Sequence, residues 1–185
     1  MGLLSHRSPE PYLKKLMLSL VAEGKIVSAE AEVSYGGIPL KPLARTYGDR
    51  LVVVGDAAGQ VKPTTGGGIY YGLLCADIAA DTLHRALQRD DLSARSLALY
   101  EREWRRKLKR ELEIDYYARK FYERLSDRRV DHIFDIIESN NIAQDLLEAE
   151  DLSFDWHSKA VLRLVRHKAV SKAFEVMKIP FRLRW

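Results

Sequence analysis

Leu51-Val52-Val53-Val54-Gly55-Asp56-Ala57-Ala58-Gly59, continued by Gln60-Val61-Lys62-Pro63-Thr64-Thr65-Gly66-Gly67-Gly68-Ile69, is the stretch from which the chain is best read. Four consecutive apolar residues with no polar alternation predict a short strand buried on both faces. Such a strand delivers Asp56 at its carboxyl end, the edge at which open α/β sheets bind ligands. Gly55 and the small Ala57 let a ligand approach the backbone closely, and a carboxylate there can accept a hydrogen bond from a sugar-like hydroxyl. Pro63 stiffens the loop, and Gly66, Gly67 and Gly68 then open a helix starting at Ile69. The first N–H groups of that helix have no partner within it, and its dipole favours negative charge. A phosphate or the electron-rich edge of a ring fits such a place.

Taken singly, each part has a plain structural reading. Gly-Asp after a strand is common as a turn, and three glycines often form only a flexible loop. Their order and spacing directly behind an apolar strand favour a ligand site. A phosphate-binding P-loop is excluded because no Gly-Lys-Ser/Thr follows, and no Gly-x-Gly-x-x-Gly occurs in the sequence.

Working outward from this stretch, Glu10 to Glu23 carries Leu13, Leu16, Met17, Leu20 and Val21 at helical spacing, with Gly24 as a stop. Ile26 to Tyr35 alternates loosely and predicts a strand, while Gly2 to Ser5 reads as the end of another. Ile38 to Leu43 contains Pro39 and Pro42 and predicts an extended connector. Downstream, a helix is predicted from Ile69 to Leu87. Ser93 is placed to cap a long helix with the apolar stripe Leu97, Tyr100, Trp104, Leu108, Leu112 and Tyr116. Shorter helices are predicted at Val130 to Ile137, Ile142 to Ala149 and Ser158 to Val170. The expected fold class is mixed α/β. A small sheet-bearing half at residues 1–88 carries the strand, Gly-Asp and Gly-Gly-Gly motif, and a helical subdomain follows at 89–185.

Composition sets the class. With 46% hydrophobic and 30% charged residues among 185, the chain has the balance of a soluble globular protein. No stretch approaches the roughly 20 apolar residues that span a bilayer. A single cysteine, Cys75, fits a reducing compartment, so a cytoplasmic location is expected. The net charge of +4 is uneven: Trp156–Trp185 holds eight Lys and Arg against one acid, Glu175. Its apolar positions interleave with the cations, as in helices that lie on anionic membranes, although an ordinary amphipathic helix with a solvated basic face is the stronger reading. No nucleic-acid recognition motif accompanies the charge.

From Tyr47 to Gly59 the sequence resembles the second FAD motif of the flavoprotein family typified by aromatic hydroxylases. The continuation Gln60 to Gly72 narrows the resemblance to the geranylgeranyl reductase branch. That resemblance implies FAD as cofactor, with Asp56 on the ribityl chain and Gly66 to Gly68 against the pyrimidine side of the flavin ring. Gly55, Asp56, Ala57, Pro63, Gly66, Gly67, Gly68 and Ile69 are therefore the expected cofactor-binding residues. It also implies reduction of isoprenoid carbon–carbon double bonds in lipids or pigments and an isoprenoid lipid substrate, which a peripheral membrane contact through Trp156–Trp185 would help to collect from a bilayer. Family members begin with a βαβ unit for the ADP half of FAD and an aromatic-Pro motif. Neither stands in these 185 residues, so the chain is expected to be a carboxyl-terminal portion with weak flavin affinity and little activity alone. Two other readings compete: a flavin monooxygenase or halogenase sharing the motif, and an inactive remnant serving as a membrane- or partner-binding helical module.

The remaining candidates are weaker. Cys75 reads as a small buried hydrophobe. His6, His84, His132, His157 and His167 show no metal-ligand spacing, so no metal is expected. Lys62 fits a pyrophosphate partner or a solvated loop lysine about equally. No residue stands out as a proton donor.

Overall fold

The computed structural model describes residues 3–5, 7–149 and 153–176. The chain falls into two units, Met1–Gly37 and Ile38–Trp185. The first is built on helix α1, Glu10–Ala22, with Pro9 at its entrance and Met17 buried. Gly24 ends it at φ +67°, a left-handed conformation open to glycine without penalty. The strand expected over Ile26 to Tyr35 does not form. Alternation alone does not make a strand, because backbone N–H and C=O groups need a ladder partner. Among the described residues no partner aligns with this segment, and Val27 is fully exposed. Gly2 and His6 lie outside the described residues.

In the second unit the apolar run at Leu51 also departs from expectation. Only Leu51–Val52 (β2) is strand, paired antiparallel with Tyr47–Gly48 (β1) in the register Tyr47 to Val52 and Gly48 to Leu51. Leu51 is 55% exposed, so the run is not buried on both faces. A fully buried strand needs neighbours on either side, and among the described residues β1 is the sole one. Arg50 closes the tight turn at φ +56°. The Asp49 carboxylate accepts from the Ala94 N–H at 2.7 Å, and Arg50 N–H donates to the Leu92 carbonyl at 2.9 Å. These bonds tie the hairpin to the start of the long helix.

Among the described residues six α-helices follow: α2 (Ile69–Gln88), α3 (Ala94–Tyr122), α4 (Asp127–Ser139), α5 (Ile142–Leu147), α6 (Ser158–Arg166) and α7 (Lys168–Val176). Ser93 caps α3, its hydroxyl accepting from Ser96 N–H. The stripe expected on α3 is buried from Leu97 to Leu112, with Tyr116 at its end half-buried, and Tyr100, Trp104, Leu108 and Leu112 pack on Tyr71, Cys75, Ile78 and Ala79 of α2. The 88/89 boundary expected from sequence thus falls in the turn between two helices that share one core. A second core joins Ile142, Val170 and Phe174, with Phe121 against Phe174 at 5.0 Å between ring centroids. The tail predicted as one helix from Ser158 to Val170 is two, because His167 takes an extended conformation (ψ 131°) that breaks the helical ladder. Val170, Ala173 and Phe174 turn inward. Met177, Lys178, Arg182, Arg184 and Trp185, counted with the basic tail, lie outside the described residues.

Candidate functional site

Residues 55–69 fold as a turn, a loop and a helix start. Gly55–Ala58 forms one 3-10 turn after the extended Val54, entered by Gly55 at φ +70° and left through Gly59 at φ +73°. Gly59 must be glycine for a second reason: a Cβ there would strike the Lys41 carbonyl and stand 2.7 Å from Pro42 Cα. The turn is held from beneath. Gln60, fully buried, accepts from the Gly55 N–H at 2.8 Å and donates to the Tyr100 hydroxyl at 2.8 Å. That hydroxyl donates to the Val53 carbonyl at 2.8 Å. Asp56 and Ala57 remain exposed on top of this support.

The loop closes on itself through Lys62 N–H to Gly67 carbonyl (3.0 Å) and Gly66 N–H to Lys62 carbonyl (2.8 Å). Pro63 is buried, its carbonyl accepting from Arg119. Gly66 is left-handed at φ +75°. Gly68 precedes α2 with no side chain among the described residues bonded to the first-turn N–H groups, and Ile69 is 85% exposed. A Cβ on Gly68 would collide with Asp56 Oδ1. The fold therefore sets the Asp56 carboxylate against the glycine loop at the amino end of a 20-residue helix. Gly55, Asp56, Ala57, Gly66, Gly67, Gly68 and Ile69 lie around this point, with Pro63 below the surface as a brace.

Several residues around the loop were not visible as partners in the sequence. Lys62 is neither solvated nor turned to the surface. Only 4% of its side chain is exposed, and Nζ donates to Asp155 Oδ1 (2.8 Å) and the Phe154 carbonyl (3.0 Å). Tyr71 donates to the Asp155 carbonyl at 2.9 Å, and burial pushes its phenol well above the usual range. Thr64 meets both Asp115 Oδ2 (3.2 Å) and His157 Nδ1 (3.1 Å). Asp115 has no exposed surface, and burial lifts its carboxyl to about 6 against the opposing pull of His157. Cys75 is fully buried, and burial pushes its thiol up to about 12, which leaves it inert at neutral pH.

Curated relatives align over most of the chain. A digeranylgeranylglycerophospholipid reductase of Methanothermobacter thermautotrophicus is 35% identical over 140 residues, 75% of this chain and 35% of that protein. One from Methanopyrus kandleri is 32% identical over 134 residues, 72% of this chain and 34% of its own length. Over these residues the chain is similar to the digeranylgeranylglycerophospholipid reductases. A third such relative, from Methanocaldococcus jannaschii, is 38% identical over 122 residues, 65% of this chain and 31% of its length. The chain thus spans about a third of the curated relatives it matches. No protein-family model matches it. A geranylgeranyl bacteriochlorophyll reductase-like protein of Thermoplasma acidophilum shares the fold, with a TM-score of 0.60 at 22% identity, over 77% of this chain and 33% of that one.

Proposed function

We propose that the chain supplies the flavin-holding and helical part of an FAD-dependent reductase that saturates isoprenoid carbon–carbon double bonds in lipids. The observation that carries this reading is the Asp56 carboxylate seated against Gly68, where no side chain would fit, at the open amino end of α2. The residues present fit the group. An exposed carboxylate can accept from a hydroxylated ribityl chain. Uncapped first-turn N–H groups and the helix dipole suit the electron-rich pyrimidine edge of a flavin. The matched relatives are reductases of geranylgeranyl lipids by name, which supports an isoprenoid substrate. Asp56 and Gly66 to Gly68 would hold the flavin, which when bound would supply hydride chemistry for reducing an alkene.

The chain's own residues act by holding and positioning. Gln60 and Tyr100 fix the turn that carries Asp56, and the Lys62–Asp155 pair ties the loop to residues 153–157. No described helix is long and apolar enough to cross a membrane. Contact with an anionic bilayer would rest on the basic face of α6 and α7, since Val170, Ala173 and Phe174 are spent on internal packing. Because only a third of the relatives' length is represented, full turnover is proposed for a protein carrying the ADP-binding segment as well. The 185 residues alone should bind flavin weakly. A monooxygenase or halogenase chemistry has no observation in its favour beyond the shared motif.

The test is a flavin titration of the 185-residue chain followed by fluorescence, beside Asp56→Ala and the conservative Asp56→Asn. Quenching by the native chain and a loss of affinity of about tenfold in Asp56→Ala, equivalent to roughly 1.4 kcal/mol, is the expected result. Equal binding by native and Asp56→Ala chains would overturn the assignment.

A further inference from the structure

The Thr64 hydroxyl has one proton and two demanding neighbours. It sits in the glycine loop, 3.2 Å from Asp115 Oδ2 and 3.1 Å from His157 Nδ1. His157 Nε2 lies 2.7 Å from the Phe154 carbonyl. A carbonyl only accepts, so Nε2 must carry a hydrogen. Two arrangements then satisfy every bond. In one, His157 is neutral, Thr64 donates to Nδ1, and Asp115 must be protonated to donate from Oδ2 to Thr64 Oγ1. In the other, His157 is doubly protonated and donates from Nδ1 to Thr64, while Thr64 donates to an ionised Asp115. Both arrangements hold the same number of protons. They interconvert when the Asp115 proton passes to Thr64 Oγ1 and the Thr64 proton passes to His157 Nδ1, with no net gain or loss.

We infer that Asp115, Thr64 and His157 form a one-proton relay that grips the glycine loop, with Asp115 and His157 as its positioning residues. Among the described residues the buried Oδ1 of Asp115 has no hydrogen-bond partner, which weighs against a full charge there and favours the arrangement with the proton on Asp115. The charged and titratable groups around the relay come from each element packed on it. Glu111 on α3 accepts from the Ser158 N–H at 2.7 Å. Lys62 and Asp155 form the neighbouring ion pair, Tyr71 of α2 donates to the Asp155 carbonyl, and Arg119 of α3 donates to Pro63. His157, about a fifth exposed, is the relay's opening to solvent. A loop held this way keeps its grip in both charge states, because one proton satisfies the three side chains either way. Use of the relay in flavin binding rests on the function proposed above, but its existence does not.

The experiment uses the flavin-free 185-residue chain, so that failure of the relay is distinguishable from failure of flavin binding. The Asp115 side-chain carboxyl carbon and the His157 ring nitrogens are followed by NMR across pH, with His84 and His132 as internal references. The relay predicts Nε2–H on His157 at neutral pH and a shared step in which the Asp115 and His157 signals move together. Thr64→Ser retains that joint step, and Thr64→Val weakens it to what the direct 3.7 Å approach of His157 Nδ1 to Asp115 Oδ2 sustains. Independent titration in the native chain, with Asp115 ionising near the ordinary carboxylate value of about 3.9, would overturn the inference. So would a Thr64→Val chain whose two signals move just as they do in the native chain.

Discussion

Burial costs a charged carboxylate far more than a neutral carboxyl, so a buried acid short of hydrogen bonds is a source of pH dependence. Asp115 is such a residue, raised to about 6 chiefly by burial. A group whose native value lies above its unfolded value binds its proton more tightly when folded. Its stabilising contribution is complete below about pH 4 and is lost as the pH rises through about 6. Asp115→Asn keeps the shape and removes the titration. It should therefore gain stability over the native chain from pH 5 to 7 by up to about 3 kcal/mol, with little difference at pH 4. Thermal melts of both chains across that range check this, and a difference that does not change with pH would contradict it. At Gly68 the effect is steric. Gly68→Ala forces a Cβ onto the Asp56 carboxylate and should displace it, weakening flavin binding about as much as Asp56→Ala does, with little change in Tm.

At the scale of elements, the helices were legible in the sequence because their signals are local. The stripe from Leu97 to Leu112, the Ser93 cap and the Gly24 stop each act within a turn or two of the residues that reveal them. Ser93→Ala should cost about 1 kcal/mol in denaturant unfolding. The strands were not legible for the opposite reason. Both Ile26 to Tyr35 and Leu51 to Val54 have apolar patterns suited to a sheet, but a ladder depends on partners that a local pattern does not specify. The same distinction runs through the site. Asp56 and Gly68 stand twelve positions apart in one motif and could be read together. Gln60 finds Tyr100 forty positions away, and Lys62 finds Asp155 ninety-three away, so neither pairing leaves a trace in spacing. Gln60→Ala strips support from the Gly55 N–H and the Tyr100 hydroxyl together. It should destabilise the chain by about 1–3 kcal/mol and lower flavin affinity as well, which unfolding curves and the flavin titration would show.

At the scale of the molecule, the helical layer behind the site explains why the basic tail does not read simply as a membrane anchor. Leu164, Val165, Val170 and Phe174 close a core with Ile142, and the described cations of the tail are left outward. The central claim concerns what the Asp56–Gly68 cradle holds, and the most direct measurement is a residue-resolved one. Flavin is titrated into the isotope-labelled 185-residue chain while the backbone amide signals are followed by NMR, a method that registers weak binding. The account predicts that shifts concentrate at Gly55, Asp56, Ala57 and Gly66 to Ile69 and vanish in Asp56→Ala. Shifts centred elsewhere, or none up to the solubility limit of the flavin, would contradict it.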